Sequence, residues 1–385
     1  MGWSTWNNFG PMINETLIKR TMHFLETSGL HAAGYIYLSL DDGWQHHKGP
    51  RSLYPLEPDP SKFPSGMKAL ADYAHERGFK LGIYSGPGEE TCAGYTGSAG
   101  HEREDARMFA EWGIDHLKYD ACCSHGDAPQ AEVMDVMLDM SLALLSTNAS
   151  IVYHACHCGW SQIWEWALEI GANHWRIGQD ISDDFNYPGN REKYYFDVLD
   201  MLDRGNEVAG FSKPGGWNDY DMLIVGLDGE SGQLVGGGAS DVEYRTHFSL
   251  WCLVNSPLFI GADVEKLDAY DLETLTNGEM IAVNQDAKGE QVTLQWSSED
   301  GELQIYARTL ADESLAVALL NRGSETAYIT VDMRRDLTVP WDVYRLRDLW
   351  KHRDLGPYDI PFTAEVRSHE AKVYRVWKVE CRVGC

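Results

Sequence analysis

From Met1 to about residue 285, short apolar runs alternate with segments whose apolar residues recur at helical spacing. Tyr35–Leu40 reads as a strand, as do Lys80–Tyr84, His116–Tyr119, Ser150–His154, Trp175–Ile177 and Leu258–Ile260, with Met1–Trp6 as a first strand and another near Trp217. Between them, Glu15–Thr27, Gly66–Glu76, Glu102–Trp112 and Ala131–Leu145 read as helices. This alternation predicts a parallel sheet, and about eight strands fit, as a (β/α)8 TIM barrel needs. The pattern changes near Asn284-Gln285-Asp286. Beyond it, Val292–Trp296, Leu303–Tyr306, Ser314–Leu320, Tyr328–Val331 and Ala371–Val376 predict an all-β module of the sandwich kind. The expected fold class is therefore α/β, with a barrel over residues 1–286 and a C-terminal antiparallel β-sandwich domain over 287–385. No repeat, low-complexity tract or long linker interrupts it.

Composition narrows the partners. The 385 residues are 43% hydrophobic, enough for a sizeable core, and include 14 Trp and 19 Tyr. Aromatic faces line sugar sites, though large cores use them too. Lys+Arg number 32 against 59 Asp+Glu, a net charge of −27 that repels phosphate backbones and anionic lipid. Neither nucleic acid nor a membrane surface is an expected partner. No apolar run approaches the ~20 residues that span a bilayer. The sequence opens without a signal-peptide pattern, and because its first residues already read as strand, earlier removal of a leader is left open. Asn14-Glu15-Thr16 and Asn148-Ala149-Ser150 are glycosylation sequons, and Asn14 also suits the N-cap of the helix that follows it. Of eight cysteines, Cys92 with Cys122 and Cys381 with Cys385 are plausible bridges in an oxidising compartment, whereas Cys252, inside an apolar run, reads as a buried free thiol.

In a β/α barrel the residues just after each strand face one pocket. Here they are Trp3 and Trp6, Asp41 to Trp44, Tyr84, Lys118 and Asp120, His154 and His157, Arg176 and Asp180, and Trp217 to Asp221. Sugar hydrolysis uses such a mixture: two carboxyls for the chemistry, polar groups for hydroxyls, aromatic walls. Asp120 closes a strand right after Lys118, whose ammonium favours an ionised carboxylate as a nucleophile requires. Asp180 follows Arg176 in a Gly-Gln-Asp-Ile-Ser-Asp-Asp loop. Any one such Asp, taken alone, more often caps a helix or pairs with a base. His154, Cys156, His157 and Cys158 invite a zinc reading, but zinc sites use wider separations and a second cluster, and none is evident. No metal and no cofactor are expected. Ser85-Gly86-Pro87-Gly88 lacks the lysine and spacing of a phosphate loop and reads as pocket rim.

Met1-Gly2-Trp3-Ser4-Thr5-Trp6-Asn7, Leu40-Asp41-Asp42-Gly43-Trp44, Lys80-Leu81-Gly82-Ile83-Tyr84, Leu117-Lys118-Tyr119-Asp120, Asn173-His174-Trp175-Arg176 and Pro214-Gly215-Gly216-Trp217-Asn218-Asp219 together resemble glycoside hydrolase family 27, the α-galactosidases and α-N-acetylgalactosaminidases. The match runs in order from Met1 to about Asp286. The resemblance implies Asp120 as nucleophile and Asp180 as acid/base of a retaining exo-glycosidase acting on terminal α-D-galactosyl residues. It implies that Asp41 and Asp42 hold O4 and O6 of the sugar, that Lys118 and Arg176 meet it near O2 and O3, that Trp6 and Tyr84 are pocket walls, and that Cys92 and Cys122 form a disulfide.

Some positions depart from the family. His157 stands where the family has the Glu or Ser that meets the sugar's 2-substituent, so the alternatives are an α-N-acetylgalactosaminidase, a β-L-arabinopyranosidase or an isomaltodextranase-like specificity. The usual partner of Cys156 falls at Ala172, Gly43 stands where some members have cysteine, and Tyr220 replaces a proline. A non-catalytic sugar-binding barrel is the reading from a different class. The expected partner is a carbohydrate, an α-galactoside or related glycan. A homodimer is compatible with these expectations, and the expected location is extracellular or lysosomal.

Overall fold

The computed structural model describes residues 1–121, 128–186, 195–341 and 343–379. Eight parallel strands form the first domain: β1 (Gly2–Ser4), β2 (Tyr37–Ser39), β3 (Lys80–Ser85), β4 (His116–Asp120), β5 (Val152–Cys156), β6 (His174–Arg176), β7 (Trp217–Asp219) and β8 (Phe259–Ile260). They pair in the order β8-β1-β2-β3-β4-β5-β6-β7, and a parallel bridge between Leu223, just past β7, and Ile260 of β8 closes the barrel. The Trp3 indole N–H donates to Ala262 O at 2.8 Å across the β1–β8 seam. Leu117, Tyr119, Trp175 and Ile83 point outward into the helical layer and are buried there.

Local chemistry starts and stops the helices that cover the sheet. Asn14 caps Glu15–Ser28 by accepting the Leu17 N–H, and Ser240 with Glu243 forms a capping box on Asp241–Leu253. Gly29 and Gly113 end their helices in the left-handed conformation that glycine tolerates best. Trp6 does not end the first strand as expected. β1 stops at Ser4, and Trp6 opens the short helix Trp6–Phe9, half-buried.

The last barrel helix is Gly278–Asn284, and the first strand of the β module is Thr293–Ser297. A six-stranded antiparallel sheet faces a two-stranded one made of Ala327–Val331 and Phe362–Val366. The strand Leu315–Asn321 is buried along its whole length. Its Ala316, Ala318 and Leu320 join the barrel's core, while Val317 and Leu319 pack toward the small sheet. This explains its continuous apolar run: both faces are covered. Arg322 clamps Asp203 of the barrel at 2.7 and 2.8 Å. Three further strands, Tyr344–Asp348, Arg353–Tyr358 and Phe362–Val366, were not expected. Cys252 is buried and free, Cys92 is disulfide-bonded, and Cys122, Cys123, Cys381 and Cys385 lie outside the described residues. No described helix is long and apolar enough to cross a membrane.

Candidate active site

Parallel strands all end on one face, so the residues after them converge there. On β4, period-2 alternation turns Lys118 and Asp120 toward the axis. Lys118 Nζ donates to Asp41 Oδ2 at 2.8 Å and lies 5.3 Å from the Tyr84 ring centroid. Burial alone would pull this ammonium's pKa down, but the charges of Asp41 and Asp120 outweigh it and raise the pKa. At the tip of β4, Asp120 accepts the Tyr84 O–H at 3.1 Å. The Tyr84 hydroxyl is held protonated by burial and by the charges of Asp120, Asp42 and Asp41.

Asp41 and Asp42 follow β2. The Asp41 N–H donates to Thr5 Oγ1 at 2.9 Å, which ties this turn to the end of β1. Asp42 is fully buried and accepts the Thr91 O–H at 2.9 Å and the Ala93 N–H at 2.8 Å. Burial, with help from Asp41 and Asp120, pushes its carboxyl up to about 6 against those two hydrogen bonds. Thr91 and Ala93 belong to the loop after β3, and nothing in the sequence pattern marks them as partners of Asp42.

Arg176 ends β6 and points into the same mouth. Its NH2 group donates to Asp180 Oδ1 at 2.9 Å and lies 3.1 Å from Asp221 Oδ2. Asp180 opens a two-residue strand, Asp180–Ile181, paired with Tyr195–Phe196. Burial pushes the Asp180 carboxyl up, but Arg176 and Lys118 prevail and hold it below its ordinary value. The two cations are thus each bracketed by carboxylates: Lys118 by Asp41 and Asp120, Arg176 by Asp180 and Asp221.

Beneath these residues runs a buried polar chain. His116 of β4 and His174 of β6 meet through their Nε2 atoms at 3.1 Å, and His174 Nδ1 lies 2.9 Å from Asp219 Oδ2. Asp219 Oδ1 accepts the Asp221 N–H at 2.9 Å. Burial would raise Asp219, but His174 and Arg176 hold it low and ionised. Asp219 therefore accepts from His174 Nδ1, and a single proton lies between His174 Nε2 and His116 Nε2. Burial pushes His116 and His154 well down, so both stay neutral.

The nitrogens of His116, His154 and His174 lie close enough to suggest a metal. However, the His154 and His174 rings stack 4.0 Å apart at 21°. One ion cannot lie in both ring planes, and it is His116 and His174 that a hydrogen bond joins. Near the rim, His46 and His47 both approach Glu57 Oε1, at 3.2 and 3.0 Å.

Asp41, Asp42, Tyr84, Lys118 and Asp120 form one connected group and Arg176, Asp180 and Asp221 another, and Asp41, Lys118, Arg176 and Asp221 line one small cavity between them. His157 lies in the loop after β5. It is fully buried, with Nε2 3.2 Å from Ser161 Oγ and its ring edge-on to Trp160. That loop is unusual: Cys158, Ser161 and Gln162 all have positive φ. Cys156 and Cys158 are free thiols.

Residues 1–286 match the family model described as "Alpha galactosidase A", and residues 300–376 match the α-galactosidase C-terminal β-sandwich domain. The chain belongs to glycoside hydrolase family 27, the α-galactosidase family. It is a glycoside hydrolase. Alpha-galactosidase 2 of Arabidopsis thaliana is 40% identical over 375 residues, covering 97% of this chain and 88% of that one. The crystal structure of α-galactosidase I from Mortierella vinacea matches with a TM-score of 0.90 at 34% identity, covering 98% and 96% of the two chains. An α-galactosidase from Saccharomyces cerevisiae, solved with raffinose, matches with a TM-score of 0.87 at 28% identity, covering 98% and 97%.

Proposed function

We propose that this family 27 member removes terminal α-D-galactosyl residues with retention of configuration, with Asp120 as nucleophile and Asp180 as acid/base. The observation that carries the reading is the placing of two carboxylates at one barrel mouth, each on its own cation. Asp120 stands beside Lys118 and accepts the Tyr84 O–H. Asp180 sits on Arg176. In the first step Asp120 attacks the anomeric carbon while Asp180 gives its proton to the departing glycosidic oxygen. In the second, Asp180 takes a proton from water, which displaces Asp120 and returns the α-anomer. Sugar hydroxyls that engage Arg176 loosen its grip on Asp180, and the carboxyl then regains the proton it must donate.

Asp41 and Asp42 are proposed to hold O4 and O6, with Trp6 and Tyr84 as walls and Lys118 and Arg176 near O2 and O3. Residues 1–286 carry the reaction, and the β module from 287 onward braces the barrel. Raffinose, bound to the yeast relative, is an α-galactoside and suits this reading. The Cys92 disulfide supports an extracellular or lysosomal location.

The test is an aryl α-galactoside with azide rescue. Asp180→Ala should give α-galactosyl azide and Asp120→Gly the β-azide, because the two variants open opposite faces of the sugar. Wild-type turnover in Asp120→Gly, or β-galactose as the first product by NMR, would overturn the assignment. A second reading, a sugar differing at the 2-position, is favoured by the rerouted loop carrying His157. A panel of aryl glycosides separates the two, since an inert galactoside beside an active 2-acetamido or β-L-arabinopyranosyl substrate would select it.

A further inference from the structure

Arg176 offers one guanidinium edge to two carboxylates. Its NH2 group is 2.9 Å from Asp180 Oδ1 and 3.1 Å from Asp221 Oδ2. Asp221 cannot drift from this position. Its Oδ2 accepts the Ile181 N–H at 3.0 Å, its own N–H donates to Asp219 at 2.9 Å, and its carbonyl accepts the Trp251 indole N–H at 2.8 Å. Its backbone has φ 79°, the left-handed region that a non-glycine residue adopts at a cost. The surrounding structure therefore over-determines a strained residue whose carboxylate ends on the cation that Asp180 also uses. The chain His116–His174–Asp219 fixes Asp219 from below, and Asp219 in turn holds Asp221.

We propose that Asp221 is a positioning residue for the hydrolytic step: by holding part of the Arg176 guanidinium, it keeps that cation from fully neutralising Asp180 and so leaves Asp180 able to carry the proton it gives to the leaving oxygen. The inference rests on the reading of Asp180 as the acid/base. Arg176 with a single carboxylate partner would hold that partner firmly ionised, whereas two carboxylates on one cation share one proton between them. Asp221 is pushed up to about 6 by burial and by the charges of Asp180 and Asp219, against the pull of Arg176 and the Ile181 N–H. The groups that face it are His116 and Lys118 from β4, His154 from β5, His174 and Arg176 from β6, Asp219 from its own side of the barrel, and Asp41 across the small cavity they line together. Of these, Lys118 is already engaged by Asp41 and His174 by Asp219. Arg176 is thus the one cation in direct contact with Asp221 among the described residues.

Replacing Asp221 with Asn removes one negative charge from Arg176 and hands the cation to Asp180. The proton affinity of Asp180 then falls, and the alkaline limb of kcat/KM moves to lower pH by about one unit, the size a single neighbouring charge produces. The loss is selective for substrates whose leaving group needs a proton. At pH 6 to 7, Asp221→Asn should lose about tenfold or more against an α-linked disaccharide and much less against α-galactosyl fluoride, whose leaving group departs unprotonated. Asp221→Glu, which keeps the charge, should restore most of the limb.

A purely structural role would lower both substrates together and leave the limb in place, and that result overturns the proposal. If Asp221→Asn does not fold, Asp221→Ser with the same pair of substrates gives the same discrimination. Azide rescue of Asp180→Ala separates the two levels. A failed rescue removes the acid/base assignment itself, while a successful rescue with an unmoved Asp221→Asn limb removes only the role of Asp221.

Discussion

Asp42 is a functional group that the fold holds at a disadvantage, and Asp42→Asn should make the protein more stable at neutral pH while abolishing its activity. The carboxyl is fully buried and raised from 3.8 to about 6. A folded-state value above the unfolded one means that the folded protein binds the extra proton between about pH 4 and 6. Ionising Asp42 therefore costs stability progressively as the pH rises through that window, and the full cost stands above it. At about 1.4 kcal/mol per unit this amounts to roughly 3 kcal/mol at pH 7. Asparagine keeps the shape and removes the charge. It also turns an N–H toward the Ala93 N–H or the Thr91 hydroxyl, which takes back about 1 kcal/mol. The net gain is about 2 kcal/mol, or roughly 2–3 °C in Tm for a chain of this length.

Scanning calorimetry of wild type and Asp42→Asn at pH 7 and pH 4 measures it. The gain should be present at pH 7 and absent at pH 4, where wild-type Asp42 is already protonated. An unchanged Tm at pH 7, or an equal gain at both values, would refute the reasoning.

The same physics applies elsewhere in the chain. Asp105, Asp183 and Asp271 are, like Asp42 and Asp221, pushed up to about 6, in each case first by burial. These carboxyls favour the folded state as the pH falls from 7 to about 5, but the buried neutral His116, His154 and His247 oppose them, because the unfolded chain binds protons there that the folded one does not. The wild-type Tm should therefore stay nearly level over that range, and a steep rise or fall in a calorimetric series would contradict it. Gly86→Ala should lower kcat about a hundredfold with little change in circular dichroism, because a Cβ there would sit 2.5 Å from Asp120 O and displace the proposed nucleophile. Activity within threefold of wild type would refute this. Trp3→Phe leaves the Ala262 carbonyl without its indole donor at the barrel seam and should cost about 1–3 kcal/mol in a denaturant titration. A smaller loss would mean that water or a shifted backbone replaces that bond.

How much of this the sequence announces depends on whether the signal is local. The helices Gly66–Glu76 and Glu102–Trp112 were legible to the residue, because left-handed Gly78 and Gly113 stop them within two residues of their ends. The barrel strands were legible as apolar runs buried on both faces. Tyr344–Asp348 was not, because its outward positions are Arg345 and Arg347, which break the run. Arg353–Tyr358 carries Gly356-Pro357 and is exposed along most of its length, and Phe362–Val366 alternates with charged and small residues. Trp6 was placed on a strand because its segment was read as one apolar unit, and the chain turns helical two residues sooner.

At the site, the cation beside each proposed catalytic Asp was visible, since Lys118 and Arg176 lie two and four residues from Asp120 and Asp180. Their second partners were not identified as such. Asp41 is 77 residues from Lys118, and Asp221 is 45 from Arg176. His116 and His174 could have been found by stepping inward two residues from Lys118 and Arg176, because the period of a strand puts both pairs on the barrel axis.

The arrangement also bears on how so acidic a chain can hold a working site. A net charge of −27 makes buried carboxylates costly everywhere in the molecule, and the site contains five carboxylates, Asp41, Asp42 and Asp221 buried and Asp120 and Asp180 partly exposed. Among the described residues two cations, Lys118 and Arg176, serve these five, fewer than the carboxylates they face. A neutral sugar brings no counter-charge, only hydroxyl donors. Sugar hydroxyls would add to the neutral donors these carboxylates already accept from, the Thr91 and Tyr84 O–H and the Ala93 and Ile181 N–H groups. An anionic substrate would deepen the imbalance. On this argument the excess of carboxylate over cation in the pocket is itself a specificity device, selecting uncharged polyols through donors and leaving Arg176 and Lys118 to decide which of the carboxylates keeps a proton.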